Sequence, residues 1–410
     1  MDLTSLLRYP LLFFRGLNDP TINLILVMVI IWSSGVLFRK IRQPPVLGEL
    51  LAGIVFGPAL LDIVRPDHTI KVLSELGIFF LMFHAGLETN PYDLKKMGKH
   101  SLMVGTYGFF VPLLTGSFVC ATFFKVSTLH ALFVGLGLAI TAIAVNVRIL
   151  YDLDMQAYRV TPVIVGAAIV DDILCFAVFS ALVGFAATNS FSLATLAINL
   201  LKVFCFFGVS IYIGTYWYPK ISKYFATREA KGFTFSLIVA LFFGLMAEGA
   251  GLHIIIGAYM AGLFMGENLL SKELFEKVND RFVAITYGFV GPIFFFSLSF
   301  HMKFGIFQTH LGLLTVLIMV AIFAKLAGAG LAARAAKLNW AESAVVGFAM
   351  NGRGAVELII ASVGLELGVI NDVYFSLLVV VAFVTTLVPP VALNILLRYV
   401  PGVKESLIKN

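Results

Sequence analysis

A bundle of membrane-crossing α-helices is the fold class this sequence predicts, and three observations predict it. Of its 410 residues, 60% are hydrophobic and only 13% are charged, where a soluble domain carries about 25% charge. The mean hydropathy is +0.97. Apolar stretches recur along the chain, each close to the roughly 20 residues a helix needs to cross a bilayer. Soluble enzymes, nucleic-acid binders and disordered chains are excluded by that composition. Cys120, Cys175 and Cys205 all fall in apolar runs, so no disulfide framework is expected.

Thirteen stretches qualify or nearly do: 21–38, 46–63, 72–88, 101–123, 129–150, 161–187, 196–217, 234–247, 252–266, 283–300, 309–334, 341–365 and 373–397. The residues before the first carry Arg8, Arg15, Asp19 and two prolines without a small-residue cleavage site. They are expected to stay in the mature protein. The eighth and ninth stretches are separated only by EGAG at 248–251, and fusing them would reduce the count to twelve.

Loop charge favours thirteen. Odd-numbered connections and the C-terminus hold 20 cations: Arg39, Lys40, Arg42; Lys95, Lys96, Lys99; Arg148, Arg159; Lys220, Lys223, Arg228, Lys231; Lys272, Lys277, Arg281; Arg334, Lys337; Arg398, Lys404, Lys409. The N-terminus and even connections hold six, Arg8, Arg15, Arg65, Lys71, Lys125 and Lys303. Cytoplasmic loops carry the Lys/Arg excess, which puts the N-terminus outside and the C-terminus in the cytoplasm. Fusion would move Lys272 to Arg281 to the wrong face.

The chain repeats itself. GELLAGIVFG at 48–57 and GAYMAGLFMG at 257–266 share the pattern GxxxAGxxxG, in spans two and nine. Ile78-Phe79-Phe80 in span three answers Ile293-Phe294-Phe295 in span ten. Spans one to six then match eight to thirteen, an odd offset that gives the halves opposite orientation. Such inverted-topology repeats mark secondary transporters. Carrying the repeat onward pairs span five with span twelve, where AITAIAVN at 139–146 and NGRG at 351–354 make poor helix. Discontinuous helices at corresponding positions of two halves point to a midplane ion site.

Few ionisable residues sit deep in spans: Asp171 and Asp172 in span six, Lys325 in span eleven, Arg353 and Glu357 in span twelve. Each costs about 2.5–3.5 kcal/mol at a helix centre on insertion scales. Arg353 and Glu357 are i,i+4 neighbours able to neutralise each other. Two aspartates against one lysine leave a surplus negative charge that needs a proton or a metal cation. Adjacent helix residues point about 100° apart, so one aspartate can pair with Lys325 while the other faces a cavity. Burial and a neighbouring carboxylate disfavour ionisation, so proton and hard monovalent cation compete for one group.

These residues carry a resemblance. RQPPVLGELLAG at 42–53, LMFHAGLE at 81–88, the aspartate pair, Lys325 and NGRG at 351–354 resemble the bacterial monovalent cation:proton antiporters, a family spanning electrogenic sodium/proton antiporters and Kef-type potassium efflux systems. Paired aspartates with a lysine across from them resemble the sodium-selective, electrogenic members, whereas potassium-type members more often carry glutamine before a single aspartate. The resemblance implies a thirteen-helix homodimer in the bacterial inner (plasma) membrane, with crossed discontinuous helices. Residues 1–100 and 231–305 would form a dimerisation domain, 101–190 and 306–410 a core domain, and 191–230 a linker helix. It implies Asp172 as the cation- and proton-carrying group, binding sodium or lithium. Asp171 would partner Lys325, Thr141 would be the polar residue of the broken span five, and Asn351, Arg353 and Glu357 would support the crossover. Some relatives carry an acid two residues after the span-twelve arginine, where this chain has Ala355. No cofactor, catalytic residue or nucleic-acid partner is implied; membrane lipid surrounds the protein, and sodium and protons are its cargo. The chain stops at Asn410, and the nucleotide-binding regulatory domain of Kef-type members is therefore expected to be absent.

Two other readings stay open, a potassium/proton antiporter of the same fold and a sodium-coupled solute symporter. An aspartyl intramembrane protease is disfavoured, because its two carboxyls must face each other from different helices. No HExxH supports zinc proteolysis, and no filter-like loop supports a channel.

Overall fold

The structure is a computed structural model that describes residues 20–40, 45–58, 60–88, 98–142, 146, 149–150, 153, 155, 158–188, 193–217, 220, 229–250, 252–265, 272–302 and 305–399. Among them every regular element is helical. Among the described residues eight helical spans are long and apolar enough to cross a membrane, and three shorter apolar helices accompany them. Of the cations used to orient the spans, Arg8, Arg15, Arg42, Lys95, Lys96, Arg148, Lys223, Arg228, Lys303, Lys404 and Lys409 lie outside the described residues, as do 143–145 of the fifth span.

The first half comprises α1 (Pro20–Lys40), α2 (Pro45–Phe56), α3 (His68–Glu88), α4 (Lys99–Phe123), α5 (Thr128–Ala139) and α6 (Val160–Thr188). Helix α7 (Leu193–Tyr212) runs into a π-helical turn, Ile213–Trp217. The second half comprises α8 (Glu229–Gly249), α9 (Ile254–Phe264), α10 (Lys272–Ile285), α11 (Gly291–Leu298), α12 (Leu311–Ala335), α13 (Trp340–Ala349), α14 (Ala355–Glu366), α15 (Asp372–Thr386) and α16 (Val388–Tyr399).

Local chemistry explains several boundaries. Ser127 caps α5 by accepting from the His130 N–H, and Asn371 caps α15 by accepting from the N–H groups of Val373 and Tyr374. Helix α13 begins at a capping box, in which Asn339 and Glu342 each accept from the other's backbone N–H at 2.8 Å. The second span is shorter than its hydropathy predicts. Its helix stops at Phe56, before Gly57-Pro58, and residues 57–58 and 60–64 are not helical. The tenth is longer. Lys272, Lys277 and Arg281, read from sequence as a connection, belong to α10. Hydropathy undercounts this helix because it is amphipathic, burying Val278 and Phe282 while charged residues fill other positions. A π-helical turn at Thr286–Val290 joins α10 to α11.

The elements pack in two groups. In one, α1 lies on α2, α2 on α11, α3 on α9 and α11, and α8 on α9. In the other, α4 packs on α5, α6 and α12, while α12 packs on α13 and α15. The glycines of the repeat set close approaches in corresponding places. A methyl on Gly53 of α2 would collide with the Phe296 carbonyl oxygen of α11, and one on Gly262 of α9 with the Phe83 carbonyl oxygen of α3. Gly135 of α5 sits on the Leu113 carbonyl of α4, and Gly347 of α13 on the Leu326 carbonyl of α12. Small residues let helix backbones meet this closely.

Candidate functional site: a buried charge cluster at a helix crossing

The fifth and twelfth stretches are both broken. Helix α5 ends at Ala139, residues 140–142 are non-helical, and helical backbone returns at Asn146. Between α13 and α14 the chain unwinds over 350–354, with Gly354 extended at φ −169. The two unwound segments touch, the Ala142 N–H donating to the Gly352 carbonyl at 2.8 Å. The glycines at 352 and 354 announce one break. The other has no glycine, and the repeat was its main sequence signal.

Breaking a helix strands carbonyls at its C-terminal end, where the macrodipole is negative. Cations meet those of α5. Arg353 Nη1 and Nη2 donate to the carbonyls of Gly137 and Leu138 at 2.6 and 2.5 Å, and Lys325 Nζ donates to the Ala139 carbonyl. Beyond α13, the Thr141 hydroxyl donates to the Met350 carbonyl at 3.0 Å. The Thr386 hydroxyl donates to the Arg353 carbonyl, and the Asn351 side-chain amide donates to the Gly347 carbonyl at 3.0 Å. Thus the irregular backbone is satisfied by protein at a depth where lipid offers nothing.

The carboxyls divide by environment. Asp171 is wholly buried, with Oδ1 2.8 Å from Lys325 Nζ and Oδ2 accepting the Thr141 N–H at 2.8 Å. Asp172, one residue on, keeps 6% of its surface accessible. Glu357 is wholly buried, its Oε2 3.5 Å from Arg353 Nη1. The structure thus brings Asp171, Thr141, Lys325 and the Arg353–Glu357 pair to one crossing. Fully ionised, Asp171, Asp172 and Glu357 outnumber Lys325 and Arg353 by one charge.

Sequence reasoning paired Arg353 with Glu357 and missed the backbone carbonyls of Gly137 and Leu138 as its hydrogen-bond acceptors. It also passed over Asn146, an amide 1% exposed whose side-chain N and O lack hydrogen-bond partners among the described residues, and Glu49, a carboxyl buried in α2. A narrow crevice between α2 and the α14–α15 pair, lined in part by Val46, Leu47, Leu50 and Phe383, reaches Arg353; Asp172 is not among its walls.

Broken helices crossing at a buried, charge-unbalanced cluster in an apolar helical bundle define a secondary transporter of the membrane. The chain belongs to the sodium/hydrogen exchanger transmembrane family, whose model matches residues 24–399. It is 32% identical over 378 residues to the Na(+)/H(+)-K(+) antiporter GerN of Bacillus cereus, covering 92% of this chain and 95% of that one. It is 31% identical over 374 residues to the Na(+)/H(+) antiporter of Enterococcus hirae, covering 90% and 96%. Its fold matches that of the sodium proton antiporter MjNhaP1 from Methanocaldococcus jannaschii with a TM-score of 0.74, at 17% identity and with 94% and 98% of the two chains covered.

Proposed function

We propose that this protein exchanges sodium or lithium for protons across the bacterial inner membrane by alternating access, electrogenically, with Asp172 as the ion-carrying group. One observation carries the reading: the crossing of the two broken helices buries three carboxyls, Asp171, Asp172 and Glu357, with two cations, Lys325 and Arg353, a surplus negative charge that a proton or a sodium ion can balance. A proton and a sodium ion compete for the Asp172 carboxylate, so loading one releases the other. The packing of α4–α6 with α12–α15 supports a core domain, over 101–190 and 306–410, that carries the site. The packing of α1–α3 with α8, α9 and α11 supports a scaffold, over 1–100 and 231–305, that dimerises, with 191–230 linking them. The thirteen crossings, counting α10–α11, α13–α14 and α15–α16 as one each, are inverted between halves, with the N-terminus outside and the C-terminus cytoplasmic. Exchange of two protons for one sodium moves one charge, coupling transport to voltage at about 2.3 kcal/mol per 100 mV.

Purified protein in proteoliposomes loaded with a pH-sensitive dye tests this. Sodium or lithium added outside acid-loaded vesicles is expected to drive proton exit; no sodium-dependent proton flux from mildly acidic to mildly alkaline pH overturns it. Potassium belongs in the same assay as the second reading, because the name of the Bacillus cereus relative includes it.

A further inference from the structure

The two packing groups meet along α6, α9 and α14, and two side-chain contacts cross that seam on one side of the charge cluster. Phe176 lies one helical turn beyond Asp172 on α6, away from Arg159 and toward Thr188. Its ring meets that of Tyr259 on α9 with centroids 4.0 Å apart and planes 33° from parallel; both residues are 2% exposed. Toward the same end, His253 at the start of α9 places Nε2 3.8 Å from Glu366 Oε2 at the end of α14. Helix α9 thus supplies one partner to both contacts, and helices of the charge-bearing group supply the others.

The two sides of the seam are unlike. Tyr259 stands on a fixed backbone, because a methyl on Gly86 of α3 would collide with the Tyr259 carbonyl oxygen, and Gly262 one turn on is pressed against Phe83 in the same way. Helix α9 therefore has no room to shift along α3. Phe176, by contrast, shares its helix with Asp171 and Asp172. The ring stack has the geometry of a tilted aromatic pair, held by dispersion and burial, which resists water but is undone by a displacement of one ring width. The rim pair is half in water, Glu366 being 66% exposed, so it adds little to stability and parts readily.

We infer that the Phe176–Tyr259 stack is the outer gate of the transport path, closing the seam between Asp172 and the extracellular side, with His253–Glu366 as its rim contact. Both pairs must separate once in every cycle. This rests on the antiport reading above and adds to it the residues that block the ion's way.

The test uses the full chain with Cys120, Cys175 and Cys205 replaced by serine. Phe176→Cys with Tyr259→Cys forms one lockable pair, and His253→Cys with Glu366→Cys a second, outside the charge cluster. A short bis-methanethiosulfonate bridges each pair through two disulfides, releasing sulfinate from both ends; mass spectrometry scores the bridge, and a reducing agent opens it. Exchange in proteoliposomes is expected to fall by the fraction of molecules bridged, for both pairs, and to return on reduction. Exchange that persists at the unbridged rate when either pair is fully bridged overturns the gate. If removing the rings itself stops transport in the reduced protein, the rim pair still decides. A parent protein that moves no protons in response to any alkali cation would instead count against the antiport reading, so the two failures are distinguishable.

Discussion

Lys325 Nζ and Asp171 Oδ1 lie 2.8 Å apart with both side chains fully buried, so the first of two adjacent carboxyls holds a buried ion pair with the lysine. The pair links α12 to α6, and the Thr141 N–H ties the unwound segment after α5 to the same carboxylate. An ion pair of this kind is a poor source of net stability but a costly one to halve.

Lys325→Ala should therefore destabilise the protein by about 3–5 kcal/mol, because Asp171 is left charged and unpaired in the interior. Combining it with Asp171→Asn should recover much of the loss. Thermal unfolding in detergent of the two single variants and the double variant measures the coupling.

Asp172→Asn should leave unfolding near the parent value while abolishing sodium-driven proton movement. Asp171→Asn should do the reverse in rank, with the larger loss in stability. Unfolding temperature and dye-reported flux, taken on both variants, check the division of labour; flux retained in Asp172→Asn would move the carrying group elsewhere.

Competition at one carboxyl fixes the sign of the pH dependence. Below the pH at which Asp172 titrates, protons occupy it and the apparent KM for sodium should rise by up to about tenfold per pH unit, the limit for one proton displacing one ion. Well above it, KM should become flat. Initial rates against sodium concentration at several pH values measure the slope; a KM indifferent to pH would exclude a shared site.

Arg353→Lys should destabilise the protein, though less than Arg353→Ala, which also leaves buried Glu357 without its cation. The guanidinium spans the Gly137 and Leu138 carbonyls with two nitrogens, a fork that a point ammonium does not reproduce. Leaving one buried acceptor unmet costs about 1–3 kcal/mol, and unfolding of the two variants tests it.

Gly53→Ala and Gly262→Ala should each destabilise by about 1–3 kcal/mol, the usual penalty of overpacking, since the added methyl meets backbone oxygen that cannot swing away. Gly249→Ala, with open space around it, is the control that should be close to neutral.

How far the sequence discloses this arrangement varies with the kind of signal. The run of apolar stretches exposes most helices because the bilayer demands one length. It fails at α10, whose charges ride on one face of a helix, and at α2, which Gly57-Pro58 ends early. Asp171, Asp172, Lys325, Arg353 and Glu357 stand out because charge in hydrocarbon is rare. The acceptors of Arg353 do not stand out. They are main-chain carbonyls of Gly137 and Leu138, and every residue has one. Only the broken end of α5 makes them special, and that break carries no glycine or proline of its own. Which aspartate Lys325 would take was likewise undecided by spacing, since it depends on the crossing angle of α6 and α12.

The glycine contacts at 53, 86 and 262 press one backbone directly onto another, with no side chain between to bend. A frame assembled that way has little compliance. In the proposed exchange cycle, work released by an ion reaching a carboxyl would then not be absorbed as flexing of the frame, and would reappear as travel of the core against it.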